Sequence, residues 1–321
     1  MTPETTISDP QFSVEDPVLV HVGLHKTGTT WLQQRVFQAL DGQGIAFCGD
    51  LDLIYRTFIV PEIAEFSVEP ARQAFADLLQ TARTAGQLPV ISGESLAGRP
   101  FHTKYQRAVV AQRIAQVFPN ARILLTIREQ TAIIRSMYGQ YIRFGYTSNI
   151  HQFLKRPPAG SSFSPVLDWD FYDFARLIRE YRTFFAPDRV LVLPFERFVS
   201  DADWAMRRIG DSTGVDLSRD LPDTQPAKTS NPAWSVPAYN AVRTLNRFIS
   251  QDARWQRPRG RFSPNAIGYW ANRLTPDRLR QRLDDRWRQI VAEAAGDYYQ
   301  SSNRDASDLI GLDLGSLGYA C

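Results

Sequence analysis

The chain has 321 residues, enough for one large α/β domain or two small ones, and 43% of them are hydrophobic, as expected for a protein that buries a real core. The net charge of +3 is too small to indicate a nucleic-acid partner, although it suits anionic ligands. Two cysteines, Cys48 and Cys321, can supply neither a disulfide framework nor a cysteine metal site.

The first 16 residues are polar and acidic and lack the basic and apolar regions of a secretory signal. We expect them to form a flexible leader. No apolar run approaches the roughly 18 residues that span a bilayer. The sequence therefore predicts a cytoplasmic protein without a transmembrane segment, in which residues 17–321 form one domain with a core at 17–213 and a helical part at 236–300.

Predicted strands and helices alternate along most of the chain. Patterns of β-branched and apolar residues predict strands at 18–23, 44–47, 88–92, 121–127 and 189–194. Helical spacing of apolar residues predicts helices from about 29 to 40 and at 69–85, 104–118, 131–144, 170–185, 201–212, 236–249 and 276–295. This alternation favours a central parallel sheet with helices on both faces, an arrangement that binds ligands beyond the carboxyl ends of its strands.

The loop after the first predicted strand has the character of an anion-binding loop. It runs from Gly23 through His25-Lys26-Thr27-Gly28-Thr29-Thr30-Trp31 into the first helix. Such a loop aims backbone N–H groups and a helix N-terminus at one point, which suits a phosphate, and Lys26 adds a mobile positive charge. In nucleoside triphosphatases the lysine follows the second glycine, but here Thr29 stands there and the lysine lies inside the loop.

This loop resembles the 5′-phosphosulfate loop of sulfotransferases that use 3′-phosphoadenosine 5′-phosphosulfate (PAPS), commonly H/P-K-[ST]-G-[ST]-[ST]-W/L after a strand. The resemblance implies the P-loop-NTPase-like α/β sulfotransferase fold of the soluble bacterial type, with extra C-terminal helices. It implies transfer of the sulfuryl group from PAPS to a hydroxyl or amine without a metal ion, leaving adenosine 3′,5′-bisphosphate. By this resemblance Lys26 neutralises charge on the leaving 5′-phosphate, and the donor is bound by His25, Lys26, Thr27, Gly28, Thr29, Thr30 and Trp31.

A second group of residues resembles the family's 3′-phosphate site. Arg128 ends a predicted strand, and Ser136 lies eight residues further on, on the polar side of the following helix. An arginine fork can grip a phosphate and a serine can donate one hydrogen bond. The family often has R-[DN]-P here, whereas this chain has Glu129 and Gln130 after the arginine, so the local turn is expected to differ. The late basic segment with Arg259 and Gly260 resembles a loop that closes over the 3′-phosphate; a solvated basic turn is the alternative.

Glu94, in Gly93-Glu94-Ser95, follows the third predicted strand and resembles the glutamate form of the family's general base. A carboxylate there could take the proton of the acceptor as its oxygen or nitrogen attacks sulfur. His102 is the competing base, and an ordinary surface or helix-capping glutamate is the alternative reading of Glu94.

Two other functions remain open from the sequence. A P-loop kinase for a nucleotide or sugar would need a lysine after the second loop glycine and a magnesium-binding acid. A non-catalytic nucleotide-binding protein could share the fold. The acceptor, which could be a carbohydrate, a lipid or a small metabolite, is not encoded in a recognisable motif, and segments 50–68 and 147–168 carry no decodable pattern. Nor does the sequence indicate an oligomeric state.

Overall fold

A computed structural model describes residues 16–98, 107–158, 165–217, 234–248 and 263–321. Within these ranges five parallel strands form one sheet in the order β2-β3-β1-β4-β5. The strands are β1 (Leu19–Gly23), β2 (Ile45–Cys48), β3 (Leu88–Ser92), β4 (Arg122–Ile127) and β5 (Val190–Pro194). All five predicted strands are therefore present, and the parallel α/β fold that the sequence predicted is confirmed.

The sheet is buried on both faces, which explains why its strands read as nearly continuous apolar runs. Along β1, Val20 and Val22 face one hydrophobic core, while Leu19 faces the other. The same alternation continues in β4, where Ile123 and Leu124 point to opposite cores. Because β1 pairs with both β3 and β4, it lies at the centre of the sheet.

Helices cover both faces. The first helix, α1, begins at Thr29–Trp31 and continues as a π-helix over Leu32–Phe37. The others are α2 (Leu51–Phe58), α3 (Val68–Gln73), α4 (Ala76–Ala85), α5 (Arg107–Val117), α6 (Gln130–Arg143), α7 (Ile150–Phe153), α8 (Phe174–Arg182), α9 (Phe195–Ser200), α10 (Ala202–Thr213), α11 (Val236–Asn246), α12 (Pro264–Leu274), α13 (Asp277–Ala295) and α14 (Gln300–Ile310). No helix in the described ranges is long and apolar enough to cross a membrane.

Some helices differ from the prediction. The prediction of a single helix at 69–85 is wrong, because the structure has two helices there, α3 and α4. Phe75 lies between them, and its ring centre is 5.7 Å from the ring centres of both Phe58 and Phe118. Its inward packing accounts for the break. The segment 170–185 begins as a 3₁₀ turn at Trp169–Tyr172 before α8. Helices α2, α7, α9, α12 and α14 were not predicted individually, although α12 lies in the part at 236–300 that was expected to be helical.

The turn before α6 carries Glu129 and Gln130 where the family often has [DN]-P. Glu129 caps the helix, since its carboxylate accepts hydrogen bonds from the backbone N–H groups of Thr131 and Ala132 at 2.7 Å each. A carboxylate at this position also interacts favourably with the helix dipole. At the other end Gly145 has φ +97°, as expected for a residue that ends a helix.

The C-terminal helix α14 is tied to α6 by a buried pair of amide side chains. Gln130 donates to Asn303 Oδ1 at 2.7 Å, and Asn303 donates back to Gln130 Oε1 at 3.1 Å. Asn303 also donates to the carbonyl of Ala320 at 2.8 Å. Both side chains are almost completely buried, so breaking the pair leaves polar atoms without partners in the interior.

We therefore expect Asn303→Leu to lower the free energy of unfolding by about 2–3 kcal/mol, because it keeps the side-chain shape but leaves Gln130 Oε1 unpaired. Adding Gln130→Met should recover about 1 kcal/mol, since both buried amides are then gone. Urea unfolding measures these values. Ser301→Ala, at an exposed position of the same helix, is the control and should change stability by less than about 0.5 kcal/mol. Full additivity of the two core substitutions would contradict the pairing.

Candidate active site

Several predicted site residues lie in loops that follow the parallel strands of the sheet. The loops after β1, β3, β4 and β5 carry Lys26, Glu94, Arg128 and Phe195 respectively. Because all five strands are parallel, these loops leave the sheet at the same edge, where α/β proteins bind ligands. The four loops therefore share the edge beyond the carboxyl ends of the strands.

The loop after β1 folds tightly back on its own strand. A Cβ atom at Gly23 would lie 2.3 Å from Thr29 Oγ1, so only glycine allows this approach. Lys26 and Gly28 have positive φ angles of 70° and 87°. A positive φ costs energy for a residue other than glycine, and such strain is concentrated at functional sites.

The N–H groups of the loop are available to a ligand. Those of Gly28, Thr29 and Thr30 donate to no acceptor among the described residues; the first backbone donors of α1 are Trp31 and Leu32, both to the carbonyl of Gly28. No side chain caps the helix. Unpaired N–H groups at the start of a helix, beside a lysine, form a site for an anion.

The threonines of the loop have different roles. Thr27 Oγ1 donates to the carbonyl of Leu24 at 2.6 Å and lies 2.6 Å from Thr126 Oγ1. A hydroxyl has one proton, so Thr126 must donate to Thr27, and Thr27 holds the loop shape rather than offering a donor to a ligand. Thr29 is also buried. Thr30 is exposed and makes no side-chain hydrogen bond to the described residues, which leaves it as the free hydroxyl of the three.

His25 and Glu94 form a close pair across two of these loops. His25 Nδ1 lies 2.7 Å from Glu94 Oε2, and the two side chains are 30% and 31% exposed. Burial acts to raise the pKa of Glu94, but the hydrogen bond from His25 and the charges of His25 and Lys26 outweigh it, so that the pKa is lowered. Glu94 is therefore ionised at neutral pH.

Lys26 lies among several charged groups. Burial lowers the pKa of its ammonium group, the charge of Glu94 acts in the opposite direction, and the charges of Arg143 and Arg128 lower it further. Two arginines from the two ends of α6 are thus near enough to influence the same lysine. An incoming anion would relieve this repulsion among like charges.

Arg128 is held on two sides. Its Nη1 donates to the carbonyl of Lys26 at 2.9 Å, and its guanidinium carbon lies 4.6 Å from the centre of the Phe195 ring. Burial lowers its pKa, and the charge of Glu196 opposes that effect. The Nε atom is buried and has no hydrogen-bond partner among the described residues. Lys26 and Arg128, which sequence analysis expected to bind the 5′ and 3′ ends of a nucleotide, are thus linked by a hydrogen bond.

Ser136 lies on the half-buried side of α6 with Gln140 and Arg143, opposite the buried Met137 and Tyr138. Its hydroxyl donates to none of the described residues, so a role in holding phosphate stays a prediction. Trp31 packs edge-on against Phe198 with ring centres 4.8 Å apart. Three predicted site residues, His102, Arg259 and Gly260, lie outside the described residues.

Beneath the loop, a buried polar chain links β1, β3 and α1. His21 Nδ1 lies 2.8 Å from Ser92 Oγ, and Gln33 Nε2 donates to the same hydroxyl at 3.0 Å. Gln33 lies in the π-helical part of α1, a type of distortion often found at functional sites. The side chain of His21 is completely buried. Neither Gln33 nor the pairing of His25 with Glu94 was predicted.

A cavity also lies away from these loops. A cavity of about 250 Å³ lies at the outer edge of β5, lined by Arg182, Asp188, Val190, Leu191, Arg208 and Asp211 among others, and no residue of the loops above lines it. No group of three or more His, Cys, Asp or Glu side chains among the described residues could hold a metal ion.

Comparisons with known proteins agree with this geometry. The sulfotransferase family model matches residues 67–219, a range that includes Glu94, Arg128 and Ser136 but begins after the anion-binding loop. A sulfotransferase from Alicyclobacillus acidocaldarius has a similar fold, with a TM-score of 0.54 at 17% identity, covering 94% of this chain and 98% of that one. No curated protein matches the sequence.

Two further solved structures match more weakly. They are the sulfotransferase domain of the Synechococcus PCC 7002 olefin synthase (TM-score 0.38, 14% identity, covering 86% of this chain and 94% of that one) and mouse SULT7A1 complexed with PAP (TM-score 0.35, 14% identity, 91% and 90%). The family match covers residues 67–219, and the Alicyclobacillus protein shares the fold of this chain.

The buried His21 predicts a dependence of stability on pH. Burial lowers its pKa from 6.5 to about 4, with Glu94 acting in the opposite direction. Between these values the unfolded chain binds a proton that the folded chain does not, so this histidine destabilises the fold as the pH falls from about 6.5 to 4. The contribution is about 2–3 kcal/mol, at 1.36 kcal/mol per pKa unit.

Replacing His21 should therefore flatten the acid side of the stability curve. Urea unfolding of His21→Gln and of the parent protein, each at pH 7 and pH 4.5, measures how much the free energy of unfolding changes between the two pH values. Comparing this change between the two proteins cancels the contribution of the carboxylates, which they share. His151→Gln, at an exposed position of α7, is the matched control and should behave as the parent. Equal pH dependence of the parent and His21→Gln would show that His21 is not held neutral.

Proposed function

We propose that this protein is a PAPS-dependent sulfotransferase that transfers the sulfuryl group to a hydroxyl or amine of a carbohydrate, lipid or small-molecule acceptor and leaves adenosine 3′,5′-bisphosphate. The observation that carries the proposal is the hydrogen bond from Arg128 to the backbone carbonyl of Lys26, together with the effect of the Arg128 charge on the Lys26 ammonium; it supports a single site with two cationic groups from different loops. A nucleotide with phosphate groups at both its 5′ and 3′ ends needs two such groups.

The donor groups present fit this nucleotide. The free N–H groups of Gly28, Thr29 and Thr30 and the ammonium of Lys26 would hold the 5′-phosphosulfate. Arg128, whose Nε lacks a partner among the described residues, and Ser136 would hold the 3′-phosphate. PAPS supplies an activated sulfuryl group when bound. The sulfuryl group carries less charge than a phosphoryl group, so positioning and cationic side chains can suffice for its transfer.

The residues of this chain have separable tasks in that reaction. Lys26 offsets the negative charge that develops on the oxygen of the leaving 5′-phosphate. The side of the site with Glu94 and His25 receives the proton of the acceptor. Thr27 and Thr126 fix the loop from below, which keeps the N–H groups aligned.

Binding of adenosine 3′,5′-bisphosphate tests the nucleotide assignment. Isothermal titration should detect binding in buffer without magnesium, and Arg128→Ala should weaken it by about 10- to 100-fold, because a hydrogen bond to a charged group contributes about 1.5–3 kcal/mol. Arg207→Ala, at an exposed position of α10, is the control. Binding of ATP that requires magnesium would instead support a kinase, and unchanged affinity of Arg128→Ala would refute the 3′-phosphate assignment.

Turnover of PAPS tests the role of Lys26. We expect Lys26→Ala to lower the rate by about 100- to 1,000-fold, the usual cost of removing one group that stabilises transition-state charge. Its affinity for the bisphosphate should fall far less. Lys155→Ala, an exposed lysine after α7, should match the parent. A protein that binds the bisphosphate but releases no sulfuryl group to any acceptor or to water would be a binding protein rather than an enzyme.

A further inference from the structure

The pair formed by His25 and Glu94 has a defined proton arrangement. Glu94 is ionised at neutral pH, and an ionised carboxylate can only accept hydrogen bonds. The proton shared at 2.7 Å therefore belongs to His25 Nδ1. In the neutral form of this ring the second nitrogen carries a lone pair, so Nε2 can accept a proton when His25 is uncharged.

The second nitrogen is free to act. His25 Nε2 makes no hydrogen bond to any of the described residues, and the side chain is 30% exposed. His25 directly precedes Lys26, so the same loop that would hold the phosphosulfate also carries this lone pair. Its neighbour Glu94 is influenced by the charges of both His25 and Lys26, which places all three groups together.

Glu94 itself is a poor candidate to carry the proton. One of its oxygens, Oε2, is already occupied by His25. The hydrogen bond and the nearby positive charges stabilise its ionised form, and a carboxylate stabilised in this way has less tendency to take up a proton. Its geometry suits a different task, which is to fix the tautomer and orientation of the imidazole ring.

We propose that His25 Nε2 accepts the proton of the attacking group during sulfuryl transfer and that Glu94 is the residue that positions His25. The inference rests on the proposed function. The acceptor oxygen forms a bond to sulfur, and the bond between sulfur and the bridging oxygen breaks with its electron pair remaining on the 5′-phosphate. The acceptor's proton passes to His25 Nε2 and from there to solvent, so charge and atoms balance.

The tautomer can be observed without turnover. The chain has four histidines, so ¹⁵N NMR of the imidazole rings in the full-length protein is tractable, and loss of signals in His25→Asn assigns this ring. We expect the proton on Nδ1 in the parent protein at pH 7.5. In Glu94→Ala the equilibrium should return towards the Nε2-protonated form. A parent protein already protonated at Nε2 would overturn the proposal.

The relative loss of turnover in two variants distinguishes the base from its positioning residue. With PAPS as donor and water as acceptor, release of adenosine 3′,5′-bisphosphate should fall by about 100-fold or more in His25→Asn. Glu94→Gln, whose amide oxygen can still accept from Nδ1, should fall only about 10-fold. His151→Asn is the control and should be unchanged. A greater loss in Glu94→Gln than in His25→Asn would make Glu94 the base and overturn the proposal.

Nucleotide affinity distinguishes failure of the proposed function from failure of the proposed role of His25. Both variants should retain measurable binding of adenosine 3′,5′-bisphosphate, because the loop N–H groups, Lys26 and Arg128 that would hold its two phosphates are unchanged. If the parent protein itself binds no bisphosphate, the proposed function fails and the role of His25 fails with it. If the parent binds and turns over while the tautomer or the relative loss of turnover is reversed, only the role of His25 fails.

Discussion

The central position of β1 in the sheet is the constraint on which the site depends. β1 is flanked by β3 and β4, all three running in the same direction, so the loops that follow them leave the sheet side by side. Lys26, Glu94 and Arg128 come from these three loops although they are separated by up to 102 residues in sequence. Gly23 completes the arrangement, since it alone lets Thr29 come back against the strand and start the helix there.

Electrostatics then decides what this edge can bind. Burial and the nearby arginines make the ammonium of Lys26 easier to deprotonate than a free lysine, and burial does the same to Arg128. Because burial and like charges disfavour the charged forms of Lys26 and Arg128, a bound anion would stabilise both cations. Glu94 contributes a negative charge beside the cationic Lys26 and Arg128. Its carboxylate also forms a hydrogen bond with His25 Nδ1, which orients the imidazole ring.

Local patterns predicted the strands well, because β-branched runs and turn residues are properties of short segments. The contacts between segments were harder to foresee. His25 and Glu94 lie 69 residues apart, and no local pattern relates the two positions. The break between α3 and α4 follows from Phe75 packing into an aromatic cluster, which helical spacing alone does not encode. Glu129 was seen as a departure from a motif, and only its hydrogen bonds revealed a helix cap.

The last residues of the chain are connected to this edge of the sheet. The hydroxyl of Tyr319 donates to Glu196 Oε2 at 2.8 Å, and Glu196 Oε1 accepts from the backbone N–H of Glu129, the neighbour of Arg128. Tyr319 is buried, whereas Cys321 is exposed. An affinity tag or fluorescent fusion attached after Cys321 would therefore begin two residues from a tyrosine that supports the arginine turn.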